Sequence, residues 1–208
     1  MFYVFPRVVS KKECEKLLDY CIKNTEFQDG QIGISKINKD GRLDPSIRKT
    51  DIAFIEPDGN EGNQVNEIAW HYLNQANEIN TSFNYKIDTF EAVQFARYRD
   101  GGHYDWHRDL QENLISANGV MRKLSLTFCL SDPNKYEGGE LQFYNGERPR
   151  LGYTLSDGTE ITAEQIKEDI RSQGSVIVFD SRDWHRVTPV TKGTRYSIVC
   201  WSVGPNFV

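Results

Sequence analysis

Several things are scarce in this chain of 208 residues. No apolar run approaches the ~20 residues that a membrane helix needs. Positive charge is not in surplus: 25 Lys and Arg face 30 Asp and Glu, a net charge of −5. Wholesale electrostatic binding to nucleic acid or to an anionic membrane is therefore disfavoured, although a local basic groove stays compatible with this balance. The four cysteines, Cys14, Cys21, Cys129 and Cys200, form no CxxC pair, so the expectation is a reduced, cytoplasmic protein without a disulfide framework. The opening Met1–Phe5 is apolar but stops at Pro6-Arg7, with no basic leader and no small-residue cleavage site. It reads as a first strand rather than a signal. There are no internal repeats and no low-complexity tracts. At 38% hydrophobic and 26% charged residues, disordered and fibrous classes are excluded. The length suits one domain with a core of its own.

What is present starts with helices. Ser10-Lys-Lys-Glu13 is a capping box, and Cys14, Leu17, Leu18, Cys21 and Ile22 follow at helical spacing. Cys14 and Cys21 then read as small buried hydrophobes. A second helix is predicted from about Gln64 to Ile79, with Val65, Ile68, Ala69, Tyr72, Ala76 and Ile79 on one face. His71 lies beside that face as a surface or packing residue. Between the two helices, Asp29 to Thr50 is rich in Gly, Asp, Asn, Lys and Arg. A long polar loop of this kind is a candidate lid or binding loop.

From Phe83 the texture changes. The segments 90–98, 123–130, 140–144, 175–179 and 195–201 are rich in β-branched and aromatic residues and are punctuated by Gly, Asp and Pro. Such spacing predicts a β-sandwich or jelly-roll barrel. One helix interrupts it, capped by Thr162-Ala-Glu-Gln165, striped by Ile166 and Ile170 and ended by Gly174.

Three of the four histidines fall in this strand-rich region. His103 and His107 share the segment Tyr98 to Asp109, and His185 follows a later strand. Two histidines and one carboxylate on one face of iron form the facial triad of non-haem iron(II) oxygenases. Residues i and i+2 of an extended chain point to the same side, so a His-x-Asp pair can reach one metal. Two such pairs occur, His103/Asp105 and His107/Asp109, and parity does not choose between them. Ten residues after His185, Arg195 sits in an apolar strand-like run. There it could pair bidentately with a dicarboxylate, and an unpaired buried charge would be costly.

In combination these residues resemble the 2-oxoglutarate- and iron(II)-dependent dioxygenases of the prolyl 4-hydroxylase type. The family pattern Tyr-x-x-Gly-x-x-Tyr-x-x-His-x-Asp matches Tyr98, Gly101, Tyr104, His107 and Asp109 without a gap. Arg122 to Asp132 resembles the family's Arg-led strand, Glu137 to Phe143 its Gly-Gly-Glu turn, and His185 to Ser197 its last ligand and co-substrate arginine. The opening Phe5 to Cys14 resembles the family's first strand and helix, so the likeness spans nearly the whole chain.

The resemblance implies a jelly-roll (double-stranded β-helix) core over about 86–208, buttressed by helices and the loop over about 1–85, as one domain. It implies His107, Asp109 and His185 as iron ligands, with His103 outside the set. It implies Arg195 as the partner of 2-oxoglutarate, with Tyr98, Ser197 and Cys129 in the same pocket, and Tyr104, Arg122 and Trp201 on the substrate side. The implied cofactors are Fe(II), 2-oxoglutarate as co-substrate and dioxygen, with ascorbate a candidate addition. The implied activity is hydroxylation of prolyl residues in a peptide or protein substrate, since Asp109 occupies the place that halogenating relatives leave to halide. Two departures stand out: Arg195 replaces the lysine of collagen-type members, and Cys129 replaces a common pocket tyrosine. The stretch 145–173 is longer than the usual turn. Two rivals remain. A nucleic-acid dealkylase on the same scaffold would carry a second arginine where this chain has Trp201. A non-catalytic metal-binding jelly roll would release no succinate.

Overall fold

The computed structural model describes residues 2–32, 43–79, 82–110, 119–144, 152–154 and 160–206. Fifteen strands and three α-helices follow one another along these residues: β1 (Phe2–Phe5), α1 (Lys11–Asn24), β2 (Gln28–Asp29), β3 (Arg48–Lys49), β4 (Asp51–Ile55), α2 (Gly59–Ile79), β5 (Thr89–Phe90), β6 (Val93–Arg99), β7 (His103–His107), β8 (Val120–Cys129), β9 (Tyr136–Gly138), β10 (Leu141–Phe143), β11 (Gly152–Thr154), β12 (Glu160–Thr162), α3 (Ala163–Arg171), β13 (Val176–Asp180), β14 (His185–Val187) and β15 (Val190–Pro205). A nine-stranded sheet runs β1-β13-β8-β15-β6-β4-β2, with β5 and β9 also paired to β15. A second sheet of four strands runs β10-β14-β7-β3. This is the antiparallel jelly-roll arrangement that the strand spacing predicts.

The helices form as their sequences dictate. Ser10 accepts from the Glu13 N–H while the Glu13 carboxylate accepts from the Ser10 N–H, a complete capping box. Helix α1 buries Cys14, Leu17 and Cys21, and all four cysteines are free and buried. Burial pushes the Cys14 and Cys21 thiols up to about 12, which keeps them inert as small apolar fillers.

Helix α2 starts at Gly59, five residues before the predicted Gln64. The two glycines there argue against a helix by propensity, but packing overrides it. A Cβ on Gly62 would lie 2.6 Å from the Glu56 carbonyl and 2.9 Å from the Tyr20 hydroxyl, so only glycine lets α2 close on α1. A Lys16–Glu61 ion pair at 2.9 Å joins the same two helices. Ile22 and Ile79, expected on apolar faces, end up about half exposed, each close to the C-terminal end of its helix. His71 is exposed, with its ring at a near-right angle to that of Tyr72.

Both helices pack on the large sheet through one cluster that includes Leu17, Val65, Leu73, Phe95, Leu126, Phe128 and Ile198. Helix α3 covers its other part, where Ile166 and Ile170 meet Cys129, Ile177 and Phe179. Its N-cap is Thr162, which accepts from the Gln165 N–H as expected. Among the described residues no helix is long and apolar enough to cross a membrane.

Candidate metal centre and anion pocket

The small sheet brings the histidines together. Strand β14 pairs antiparallel with β7, and His185 stands directly opposite His107 in the register. Asp109 lies two residues past the end of β7, where the Leu110 N–H donates to the Ser181 carbonyl. The i, i+2 alternation therefore covers His103 to His107 only, and a bend rather than the strand's pleat carries Asp109 to the cluster. One ligand-type atom from each of His107, Asp109 and His185 lies within 4.8 Å of the others.

The three groups face one another without bonding. The distances from Asp109 are 3.7 Å to His107 Nε2 and 3.6 Å to His185 Nε2, too long for hydrogen bonds. Each ring spends its other nitrogen on a backbone carbonyl: His107 Nδ1 on Asp105 O at 2.7 Å, and His185 Nδ1 on Asp183 O at 3.0 Å. A carbonyl only accepts, so each Nδ1 donates and each Nε2 turns its lone pair inward. Burial pushes the His107 imidazole down to about 3, helped by the neighbouring His185 ring and opposed by Asp109. Burial alone would raise the Asp109 carboxyl, but His185, His107, Arg122 and a Ser125 hydrogen bond hold it well below the usual carboxylate range. Two inward lone pairs and one buried carboxylate are a donor set that suits a divalent transition metal.

His103 is not in this cluster. Its ring nitrogens face Gly101 O at 2.8 Å and Ser46 O at 3.2 Å. Apolar rings close around the other two histidines. Tyr104 stacks on His107 with centroids 3.4 Å apart, and Phe179 stands edge-on to His185 at 4.5 Å. Arg48, from the far end of the polar loop, lies over Tyr104, and β3 pairs with β7. The middle of that proposed lid, residues 33–42, lies outside the described residues.

The predicted co-substrate residues meet on three adjacent strands of the large sheet. Arg195 of β15 is opposite Tyr98 of β6, and Ser197 is opposite Cys129 of β8. Arg195 is only 4% exposed. Its Nη1 donates to Ser197 Oγ at 3.1 Å, and its guanidinium carbon lies 5.3 Å from the Tyr98 ring centroid. No carboxylate pairs with it among the described residues. A buried guanidinium without a counter-charge calls for an anionic ligand. Arg195 and Cys129 line a cavity of ≈ 490 Å³, along with Tyr136, Gly139, Phe143 and Ile170.

The substrate-side residues are arranged differently from their sequence expectation. The donors of Arg122, expected on the substrate side, are already engaged: Nε and Nη2 bond to the Glu91 carboxylate at 2.7 and 2.6 Å. Its guanidinium also stacks 3.8 Å from the Trp201 ring. Trp201, expected on the substrate side, is 8% exposed and capped by that arginine. Sequence reasoning missed Tyr136 and Glu91. The acidic residue gave no signal. The tyrosine gave a faint one, an aromatic two residues before the Gly138-Gly139 pair.

Comparisons with known proteins agree with this geometry. The family model described as the 2OG-Fe(II) oxygenase superfamily matches residues 93–203. A PKHD-type hydroxylase of Picosynechococcus sp. is 29% identical over 206 residues, covering 97% of this chain and 77% of that one. A PKHD-type hydroxylase of Pseudoalteromonas atlantica is 36% identical over 110 residues, 52% of this chain and 41% of that one. The matched part thus spans less than half the length of the second relative. Among solved structures, a prolyl hydroxylase of Trichoplax adhaerens in complex with a hypoxia inducible factor peptide fragment shares the fold. Its TM-score is 0.68 at 19% identity, over 97% of this chain and 82% of that one. A Pseudomonas putida prolyl-4-hydroxylase has a TM-score of 0.61 at 19% identity, over 97% and 91%.

Proposed function

Because this chain belongs to the 2OG-Fe(II) oxygenase superfamily, we propose that it hydroxylates prolyl residues of a peptide or protein. In this reading residues 1–208 act as one oxygenase domain, His107, Asp109 and His185 hold the iron, and Arg195 anchors 2-oxoglutarate. The observation that carries it is the pairing of two buried features, a three-donor cluster with inward lone pairs and a guanidinium without a counter-charge among the described residues. PKHD-type hydroxylases among the relatives and prolyl hydroxylases among the fold neighbours support the substrate class.

Bound iron(II) supplies the redox chemistry by which one oxygen atom of dioxygen enters succinate and the other enters a C–H bond, with release of carbon dioxide. The protein's part is placement. The carbonyls of Asp105 and Asp183 fix the tautomer and angle of the two imidazoles. Asp109 contributes one negative charge, which offsets part of the metal's charge in a buried site. Tyr104 and Phe179 pack on the ligand rings and keep water off them. Arg195, held by the Ser197 hydroxyl, would supply the positive charge that holds the distal carboxylate of 2-oxoglutarate. On the substrate side, Trp201 and Glu91 hold the Arg122 guanidinium near Asp109, and Tyr104 forms the adjoining wall. Four free, buried thiols support a reducing, cytoplasmic setting.

Incubation with iron(II), 2-oxoglutarate, ascorbate and a library of proline-containing peptides tests the proposal. The expected result is succinate release together with a peptide mass gain of one oxygen atom on proline. Succinate release with oxygen on another residue would overturn the prolyl assignment alone. Absence of 2-oxoglutarate consumption under all conditions would overturn the enzyme reading.

A further inference from the structure

Arg195 is not alone at the inner wall of the cavity. Tyr136, at the start of β9, lines the same cavity yet is only 4% exposed. Its ring and the Arg195 side chain both close on the backbone at Gly139. The ring is held from behind: the Arg171 guanidinium carbon of α3 lies 4.3 Å from its centroid. Arg171 in turn donates to the carbonyls of Tyr136 and Gly138, each at 2.8 Å, and of Pro133 at 3.3 Å. One α3 side chain therefore grips both the phenol ring and the backbone that carries it. Gly139 completes the fit. With φ of +62°, a Cβ there would lie 2.9 Å from Arg195 Cδ and 3.4 Å from Tyr136 Cε2, so glycine alone lets arginine and tyrosine close on each other.

At position 129 this pocket presents a thiol, and that thiol is already committed. Cys129 Sγ donates to the Ile170 carbonyl at 3.2 Å. Ser197 accepts from Arg195. Of the two tyrosines beside Arg195, Tyr136 lines the cavity while Tyr98 is not among its lining residues, which places the Tyr136 phenol to reach an anion there. A phenol oxygen can accept one hydrogen bond while its proton goes to a second acceptor. Burial pushes this phenol up, so it stays protonated and able to donate at neutral pH.

We infer that Tyr136 is a co-substrate-binding residue whose hydroxyl donates to the distal carboxylate of 2-oxoglutarate beside Arg195. Helix α3, in the long 145–173 stretch, then has a place in the reaction, since its Arg171 fixes that phenol. The inference rests on the functional reading above.

Calorimetric titration of the iron(II)-loaded protein under nitrogen, first with 2-oxoglutarate and then with 2-oxobutyrate, tests it. The second acid keeps the 2-oxo acid end and lacks the distal carboxylate. Tyr136→Phe removes one oxygen from a packed ring. It is expected to weaken 2-oxoglutarate binding about tenfold, the size of one hydrogen bond to a charged group. Binding of 2-oxobutyrate should stay within about twofold, since the affected bond is absent there. Turnover at saturating 2-oxoglutarate should hold while its KM rises. Unchanged 2-oxoglutarate affinity would overturn the inference. Equal weakening toward both acids would also overturn it, by showing that the phenol acts only through the shape of the pocket. If the unaltered protein binds neither acid, the functional reading itself fails, a result distinct from either.

Discussion

The large and small sheets differ in how their strands are made. In the large sheet, β15 runs sixteen residues and β8 ten. Leu124, Leu126, Phe128, Phe95 and Val178 on its strands are wholly inaccessible. The strands of the small sheet run two to five residues, and no residue of β7 is fully buried. Its β14–β7 ladder slips between His185 and Val187. Long regular ladders bury apolar area and resist rearrangement. Short, irregular ones bury little, so polar side chains can be aimed inward there at small cost to the core. The buried apolar area and the candidate metal ligands therefore sit largely on different sheets. Arg195 is the exception: a charge placed in the middle of the longest strand of the stable sheet.

The largest expected effect falls on the small sheet. Asp109→Ala and His107→Ala should each take the iron content of the purified protein to near zero, with a thermal midpoint close to that of the unaltered metal-free protein. His103→Ala should keep its iron. Elemental analysis beside a melting curve reads both. Iron lost in His103→Ala but kept in His107→Ala would reverse the assignment of the two His-x-Asp pairs.

Next comes the large sheet. Phe95 is wholly buried and packs its ring near Phe27 and Tyr196. Phe95→Ala should cost about 3–5 kcal/mol in urea unfolding, while the folded fraction still binds iron with unaltered stoichiometry. Loss of iron from the folded fraction would break the division between the sheets.

Arg195 sharpens the same comparison. Arg195→Ala should raise the KM for 2-oxoglutarate roughly thirtyfold, or about 2 kcal/mol, the worth of a lost charge-assisted pair. Iron content should not change. An unaltered KM would leave the large sheet as scaffold alone.

The smallest effect concerns a joint between the helical side and the strand leading to His185. Asp180, at the end of β13, accepts from Tyr85 and from Arg182. Burial alone would raise its carboxyl, but these hydrogen bonds hold it below the usual carboxylate range. A group depressed in the folded state stabilises above its unfolded pKa, and that contribution fades as pH falls through the folded one. Asp180→Asn should cost about 1 kcal/mol at neutral pH, since Arg182 is half exposed and its share is screened. The difference from the unaltered protein should shrink below about pH 4. A gap that stays constant down to pH 2 in chemical unfolding would show that the carboxylate's charge contributes nothing.

Much of this was legible along the chain because it is local. The Ser10–Glu13 box, the Thr162 cap and the strand texture after Phe83 need only neighbours in sequence, and all three are present in the fold. The gapless Tyr98-to-Asp109 pattern pointed to the pair His107/Asp109, which parity left open. Less legible were the features set by distant partners. The close approach of α2 to α1 at Gly62 depends on Tyr20. The Arg122 guanidinium, an open donor on paper, is tied up by Glu91, 31 residues away.

The sequence by itself determined which residue types this protein has for its chemistry: two histidines and an aspartate at metal-ligating spacing, an arginine in an apolar strand, and a core long enough to hold them. Spacing along a chain carries that much because caps, alternation and ligand pairs act within a few residues. Only the tertiary structure decided what each group faces. It set His107 opposite His185, left Arg195 without a carboxylate partner among the described residues, capped Trp201 with Arg122 and brought Tyr136 to the anion pocket through Arg171. The physical reason is that desolvation and electrostatic pairing depend on distance in space, and the partners that decide them are supplied by other strands.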